Sequence, residues 1–128
     1  MRAFRGIGLA LVSLLLAAPP AVRAASLGFL SNTVASKFND DDVRILQSTA
    51  LSLLTDGVAG QSQEWANPNS TAKGKLTIVK VFRSTEGFLC KSLRAENSAR
   101  GLHGVATYPV CEIHPGDWKL HSQAKPAP

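Results

Sequence analysis

The chain has 128 residues, 45% of them hydrophobic and 18% charged, which is enough for one domain with a modest core. Its 14 Lys and Arg against 9 Asp and Glu give a formal net charge of +5, but Arg2, Arg5 and Arg23 lie in a segment that we expect to be removed, which leaves 11 against 9 and a net charge of +2. The remaining basic residues are spread along the chain, so they indicate a solvated surface and argue against a nucleic-acid-binding protein.

The first segment is typical of an export signal. Arg2 and Arg5 form a basic start, Ile7 to Ala18 is a mostly apolar run, and small residues lead up to Ala24. The run is too short to span a bilayer comfortably. We therefore predict a signal peptide over residues 1–25, cut after Ala24 or Ala25, with an uncleaved membrane anchor as the alternative. Residues 26–37 carry apolar side chains without a period and are expected to be a lead-in that is flexible or depends on packing for its structure.

A helix is predicted at the start of a single domain over residues 38–122. Asn39 or Asp40 offers an N-cap oxygen, and the aspartates Asp40 to Asp42 sit where the helix dipole favours carboxylates. These aspartates could also suggest a calcium or acid-base cluster, but the EF-hand spacing is absent and helix capping is favoured. Gly57 is expected in the left-handed C-terminal position. The apolar stripe at helical spacing is Val43, Leu46, Ala50, Leu53 and Leu54.

From Gly60 onward, short β-type runs alternate with turn residues, which predicts an antiparallel meander of four to five strands. The predicted strands are Gln61 to Asn67, Lys75 to Arg83, Phe88 to Ala95, Gly101 to Ile113 with an interruption at Pro109, and Trp118 to His121. With the helix packed on this sheet, the fold class is α+β.

The second predicted strand does not alternate cleanly between apolar and polar residues. Leu76, Ile78 and Phe82 share one face by the period of two, whereas Val79 and Val81 take the other. Either both faces are covered, one of them by the helix, or the outer face meets a partner.

Cys90 and Cys111 are the only two cysteines. In an oxidising compartment such a pair persists as a disulfide, and closing a loop of about twenty residues contributes roughly 3 kcal/mol. A redox-active pair would want a closer Cys-x-x-Cys spacing. We predict a structural disulfide. Because Phe88 shares a face with Cys90, and Ile113 with Cys111, both sulfurs are expected on the core side of the sheet.

The order of these motifs resembles a known family. A helix with an early Asp is followed by Trp65-Ala66-Asn67-Pro68, by Gly87-Phe88-Leu89-Cys90, by a strand from Gly104 to Cys111, and by a turn with Trp118. This order is similar to that of the bacterial surface-antigen family typified by the C-terminal domain of the rickettsial seventeen-kilodalton antigen. The resemblance covers about Phe38 to Leu120 and implies an envelope location and a small α+β fold.

The chain also departs from that family. Lys91 and Glu112 follow the cysteines where family members tend to have Arg, and Gly116-Asp117-Trp118 replaces the usual Asp-Gly-x-Trp ending. The glycine-zipper segment and the lipid-attachment cysteine of the antigen are missing. These departures leave outer-membrane insertion unsupported, and the family itself has no well-defined molecular activity.

Residue types that catalyse reactions or bind metals are present but scattered. The sequence contains neither a Gly-x-Ser-x-Gly elbow nor a His-Glu-x-x-His helix, so we predict no catalytic residues and no enzyme activity. His114 and His121 flank a turn and could form a zinc or copper site with Asp117. Solvent-facing histidines near a chain end are commoner, and we predict neither a metal nor a cofactor.

Trp65 and Trp118 can each pack in the core or anchor a partner through an exposed ring, and core packing is favoured. Trp118 is the better candidate for exposure because it lies near the polar residues 123–128, which we expect to form a disordered tail. Together with Lys80 and Arg83 it makes up the candidate partner-binding set.

Two functional hypotheses follow from these features. The first is a non-enzymatic exported protein of a Gram-negative envelope, periplasmic or associated with the outer membrane or cell surface, that binds an envelope protein or helps to organise the envelope. The second is a secreted inhibitor of a cell-wall hydrolase or another enzyme, since small disulfide-tied β domains present rigid loops well. Neither hypothesis includes nucleic acid or an integral membrane span after signal cleavage.

Overall fold

A computed structural model describes residue 34 and residues 37–128, which form one helix and a five-stranded antiparallel sheet. The strands lie in chain order in the sheet, and the helix packs mainly against the first two. The predicted α+β class is confirmed, with the third strand running to Ala99 rather than Ala95. The elements are α1 Asp40–Asp56, β1 Ser62–Ala66, β2 Lys73–Arg83, β3 Leu89–Ala99, β4 Leu102–His114 and β5 Asp117–Leu120.

Helix α1 begins at a reciprocal cap, as the capping interpretation of the aspartates predicts. The Asp42 backbone N–H donates to Asn39 Oδ1 at 2.8 Å, and the Asn39 backbone N–H donates to Asp42 Oδ2 at 2.9 Å. This capping box satisfies two donors that the first turn of a helix leaves without intrahelical partners. Asp40 and Asp41 complete an acidic first turn at the positive end of the helix dipole.

The end of α1 differs from the prediction. Gly57 has φ −76° and ψ 144°, which is extended rather than left-handed. Its N–H donates to Leu53 O at 2.6 Å. A Cβ at this position would collide with the same carbonyl and would lie 3.2 Å from Ile78 Cγ1. Glycine is therefore needed here for the close approach of the helix end to β2.

A β-bulge decides which residues of β2 face the helix. Leu76 and Ile78 are buried on the helix side, and the pairing with β3 then passes over Val79, which is an extra residue on β2. The alternation reverses beyond the bulge, so that Val81 lies on the helix side and Phe82 on the opposite side. The expectation that Phe82 shares a face with Leu76 and Ile78 is wrong for this reason.

The core lies between α1 and one face of the sheet. Burying each large apolar side chain there stabilises the fold by about 2 kcal/mol. The larger buried members are Leu46, Leu53, Leu54, Trp65, Leu76, Ile78, Leu93, Val110 and Trp118. Val34 also belongs to this core and is the only described residue of the segment 26–36.

Cys90 and Cys111 form the predicted disulfide between directly opposed positions of β3 and β4. Both cysteines are fully buried, but they lie on the face away from α1, because their strand neighbours Lys91 and Val110 occupy the helix side. The expectation that the sulfurs face the core is therefore wrong. This part of β3 is buried on both faces, so an apolar neighbour such as Phe88 did not identify the helix side.

Strand β4 continues through Pro109, contrary to the predicted interruption. Pro109 O accepts from the His121 N–H at 2.9 Å. The nitrogen and the carbonyl of one residue point to the same side of an antiparallel strand, so the missing N–H of Pro109 faces the side where β5 has just ended. The proline thus removes no bond from the β3–β4 ladder.

Residues 123–128 make backbone contacts, which corrects the expectation of a disordered tail. The Thr85 N–H donates to Lys125 O at 3.0 Å, and the Ala127 N–H donates to Arg83 O at 2.9 Å. Ser84 and Pro126 form a β-bridge between these two bonds. At the hairpin between β2 and β3, some backbone N–H and C=O groups point away from the β2–β3 hydrogen bonds. Residues 123–128 provide hydrogen-bond partners for these groups.

The predicted signal peptide over residues 1–25 and nearly all of the predicted lead-in over residues 26–37 lie outside the described residues. Within the described part of the chain, no helix has the length and apolar character needed to cross a membrane.

Candidate partner-binding face

The three residues proposed from the sequence as a partner-binding set do not form one site. Lys80 is exposed on the face of the sheet away from α1, here called the outer face, and its Nζ lies 5.3 Å from the centroid of the Phe82 ring. Arg83 is exposed at the end of β2 and donates to Gly87 O at 2.9 Å. Trp65 is only 4% exposed and Trp118 only 2%, so the favoured prediction that both rings pack in the core is confirmed, and the alternative of an exposed Trp118 ring is wrong. A role for Lys80 and Arg83 in binding stays a prediction.

Trp118 is buried because it lies on the helix side of β5, next to Lys91. The Lys91 Nζ is 5.4 Å from the centroid of its ring and donates to Leu54 O at 2.6 Å and to Gly57 O at 2.8 Å. Helix α1 has no basic residue in its own last turn. A lysine from β3 therefore supplies the cation and the donors that a helix C-terminus favours.

Asp42 joins the start of α1 to the turn between β1 and β2. Its Oδ1 accepts from Asn67 Nδ2 at 2.7 Å and from the Ser70 hydroxyl at 2.6 Å, while Oδ2 accepts from the Asn39 N–H. The turn is held in place by its own bonds, from the Asn69 N–H to Asn67 Oδ1 and from the Ala72 N–H to Ser70 Oγ. Both carboxylate oxygens are thus used to hold the fold together.

The environment of Asp42 favours its charged form. Burial by itself raises the pKa of this carboxyl, but the bonds from Ser70, Asn39 and Asn67, with the positive charge of Arg100, outweigh burial and hold the pKa below its usual range. A carboxylate held ionised by several donors is a poor proton acceptor at neutral pH. The geometry therefore suits a structural anion better than a general base.

A second buried polar link crosses β2 at a glycine. Trp65 Nε1 donates to Asn97 Oδ1 at 3.1 Å, and Gly74 pairs with Trp65 on one side and with Asn97 on the other. A Cβ at Gly74 would lie 2.5 Å from both of these polar atoms. The edge of the Trp65 ring also meets Phe38, with centroids 5.4 Å apart. Gly74 is therefore the position that lets β1 and β3 exchange a side-chain hydrogen bond.

The outer face carries an open groove of about 640 Å³ across β1, β2, β3 and β4. Residues directly opposite one another on neighbouring strands point to the same face, so the strand register arranges the groove side chains in two rows. The first row is Ala66, Lys73, Ser98 and His103, and the second row is Glu64, Lys75, Glu96 and Val105.

The groove offers charges of both signs beside an apolar side chain. Along the second row, Glu64, Lys75 and Glu96 alternate in sign, and Val105 follows with 61% of its surface exposed. Glu96 also pairs with Arg94 at 3.4 Å. Solvated side chains of this kind contribute to complementarity and orientation in a complex.

The histidines lie in different places. His103 lines the groove, His114 is exposed at the end of β4, and His121 Nε2 lies 3.4 Å from Glu86 Oε2. A hydrogen bond from Ser84, followed by the backbone N–H of Glu86 itself, lowers the pKa of Glu86, and His121 adds a smaller contribution. Among the described residues, no three His, Cys, Asp or Glu side chains are arranged to hold a metal ion, so His114, His121 and Asp117 do not form such a group.

Sequence reasoning missed both the Asp42 cluster and the groove. A signal for the cluster was available, because Asp42 falls in line with Leu46, Ala50 and Leu53 on the buried stripe of the helix. The groove has no comparable signal. It depends on the register that brings Glu64, Lys75 and Glu96 together, and register is a long-range property.

Comparison with family models, with curated proteins and with solved structures finds no match for this chain. The structure itself defines the class: a small α+β domain with one disulfide, one sheet face covered by a helix and a grooved outer face. The similarity to the surface-antigen family stays a prediction from the motifs.

Proposed function

We propose that the protein is a non-enzymatic, exported cell-envelope protein that binds another envelope protein through the outer face of its sheet. The observation that carries the proposal is the open groove, in which Lys73, Lys75, Glu64 and Glu96 stand beside the exposed Val105. Charged side chains of both signs are typical of the rim of a protein interface, where they orient the partner and exclude wrong ones, and Val105 supplies an apolar contact beside them.

The buried charged groups support a binding role over a catalytic one. Asp42 and Lys91 are the two buried charged side chains among the described residues. Asp42 is bonded to Asn39, Asn67 and Ser70, and Lys91 is bonded to the end of α1. Both groups thus hold the helix on the sheet.

Export is supported by two independent features. The N-terminal residues have the basic start, apolar run and small residues of a signal peptide. The Cys90–Cys111 disulfide suits an oxidising compartment such as the periplasm. We infer a location in the periplasm, or at the outer membrane or cell surface, of a Gram-negative bacterium, in keeping with the surface-antigen resemblance.

The test is site-specific photo-cross-linking in the native envelope. A photoreactive amino acid replaces Lys75 in the groove, and a matched variant carries it at Ser52, which is exposed on the helix. We expect one envelope protein to be attached from position 75 and not from position 52, and Lys75→Glu to weaken its recovery in a pull-down. Equal capture from both positions, or none from position 75, would contradict the proposal.

The same experiment separates the binding role from the inhibitor hypothesis. A captured cell-wall hydrolase whose activity falls when the purified protein is added would identify an inhibitor. A captured protein with no such activity would support a role in envelope organisation. The mass of the isolated chain additionally tests signal cleavage after Ala24 or Ala25.

A further inference from the structure

The first half of β4 forms an open edge of the sheet. Strand β5 pairs only with Val110 to His114, and beyond it the His121 N–H bonds to Pro109 O. Among the described residues, no strand pairs with the stretch from His103 to Thr107 on that side. The other long strand with an open stretch is β2, whose edge is met by Gly60 and Gln61 near Ile78 and by Ala127 at Arg83.

The backbone groups that face the open edge can be assigned from the ladder. Ala99 and Leu102 close a two-residue turn at Arg100 and Gly101, both with positive φ (51° and 79°), so Ala99 and Leu102 form a hydrogen-bonded pair. Because Leu102 bonds to β3, the N–H and C=O groups of every second residue from His103 onward point away from β3, toward the open edge. The bond from the His121 N–H to Pro109 O agrees, since Pro109 belongs to this alternate set. The outward-facing residues of the open stretch are His103, Val105 and Thr107.

The side chains along this edge carry none of the features that protect an edge strand from pairing. Residues 102–108 contain no Lys, Arg, Asp, Glu or Pro and no bulge, whereas natural edges are usually blocked by charges, prolines or bulges. Leu102 and Val105 are exposed hydrophobic residues on this strand. On β2, by contrast, a bulge at Val79 and the flanking Lys80 and Arg83 interrupt the corresponding edge.

We propose that two copies of the chain associate through this edge of β4, in antiparallel pairing about a two-fold axis at Val105. The open stretch from His103 to Thr107 has Val105 at its midpoint, and it lies between the turn at Arg100 and Gly101 on one side and Pro109 on the other. Two copies centred on Val105 therefore reach both ends together. Val105 pairs with Val105 of the second copy, and His103 pairs with Thr107.

Self-pairing is favoured over another occupant by this symmetry and by the charge distribution. A two-fold contact brings the same edge of two chains together, so charges of one sign on that edge would repel each other across the contact. The stretch is neutral, and the nearest acid in its row, Glu96, lies one strand inward. The axis is perpendicular to the sheet, so both outer faces point the same way and the two grooves meet at paired Val105 side chains. The proposal does not depend on the identity of the envelope partner.

The first test is sedimentation velocity of the purified exported chain over concentrations from about 1 to 100 µM, the range in which a small interface associates. We expect a monomer–dimer equilibrium in the wild type. Val105→Lys should weaken self-association at least about tenfold, since it opposes two like charges directly. Val79→Lys is the matched control, because Val79 is also a half-exposed strand valine but lies at the bulged edge, and it should leave the dimer unchanged.

The second test reads individual amides by hydrogen exchange. The amides of His103, Val105 and Thr107 should become protected as concentration rises, whereas those of Gly104 and Ala106, which bond to β3, should be protected at every concentration. If Val105→Lys lowers the melting temperature, Thr107→Pro replaces it, because it removes only an outward-facing N–H. A monomer at all concentrations, equal effects of Val105→Lys and Val79→Lys, or a dimer in which the three amides stay unprotected would overturn the proposal.

Discussion

At the scale of single residues, the fold is fixed by a few buried polar groups placed where separate elements meet. Asp42 connects the first turn of α1 to the turn after β1, and Asn97 accepts from Trp65 across β2. Such groups stabilise only when their partners are present, because a buried donor without an acceptor costs about 1–3 kcal/mol. Substitutions at these positions should therefore cost more than the loss of one contact.

Asp42→Ala should lower the free energy of unfolding by about 3 kcal/mol. The change leaves Asn67 Nδ2, the Ser70 hydroxyl and the Asn39 N–H without their acceptor. Urea denaturation measures the effect. The control is Asp41→Ala, since Asp41 makes only an exposed pair with Arg44 at 3.1 Å and should change stability by less than about 1 kcal/mol. Equal losses for the two variants would show that the Asp42 network is not the cause.

The lowered pKa of Asp42 predicts how stability depends on pH. The folded state stabilises the ionised carboxylate of Asp42 more than the unfolded state does. The contribution of this carboxylate to the free energy of unfolding is therefore fully present above the ordinary aspartate pKa of about 4. It is lost as the pH falls through the lower pKa of the folded state. The stability difference between wild type and Asp42→Ala should therefore be constant from pH 5 to 7 and shrink below about pH 4. A difference that does not change down to pH 2 would contradict this.

Gly74→Ala should destabilise the fold by about 2 kcal/mol, because the new Cβ would collide with the Glu96 carbonyl oxygen and would also lie 2.5 Å from both Trp65 Nε1 and Asn97 Oδ1. A double-mutant cycle with Trp65→Phe tests the mechanism. Trp65→Phe removes the N–H donor, so in that background the alanine at position 74 should cost clearly less. Additive effects would show that the collision with Glu96 O, and not the side-chain hydrogen bond, accounts for the cost.

At the scale of elements, a charged side chain joins the helix to the sheet at each end of the helix. Each charge is opposite in sign to the end of the helix dipole that it meets. The N-terminal turn carries Asp42 bonded to the β1–β2 turn, and the C-terminal turn receives Lys91 from β3. Since α1 has no basic residue in its last turn, Lys91 supplies the positive charge at this end of the helix and ties it to β3.

Lys91→Met should lower stability by about 2 kcal/mol while keeping most of the apolar stem. The reason is that Leu54 O and Gly57 O lose a charged donor in a buried position. Lys73→Met is the control, since Lys73 is exposed on the outer face. Denaturation midpoints followed by circular dichroism at the helix band measure both variants. A loss no larger than that of the control would mean that the lysine does not cap the helix.

The elements themselves could be predicted from the sequence, but their faces could not. The helix and the five strands follow from local signals, such as the cap at Asn39 and the turn after Trp65. Which face Phe82 and Cys90 occupy depends on the bulge at Val79 and on burial of both sides of β3. No local sequence pattern predicts the groove, because it forms only when four strands pair in the observed register.

At the scale of the whole molecule, the disulfide and the helix act on opposite faces of one sheet. Cys90 and Cys111 tie the two central hydrogen-bonded strands on the outer face, while Lys91 and Val110 beside them pack on the helix side. The disulfide thus holds the strands that carry the groove without occupying the core. We expect its loss to weaken the fold and to leave the packing of α1 unaltered.

Replacing both cysteines, as Cys90→Ala with Cys111→Ala, should lower the free energy of unfolding by about 3 kcal/mol, since the bond closes a loop between positions 21 residues apart. Denaturation of the double variant and of the wild type with and without a thiol reductant measures this, and the two routes should agree. Near-ultraviolet circular dichroism of Trp65 and Trp118, both on the helix side, should change little at temperatures where the variant is folded. Two results would contradict a stabilising disulfide. One is a chain, isolated from the cells that make it, whose mass does not rise by two hydrogens on reduction. The other is a wild type whose free energy of unfolding is unchanged by the reductant.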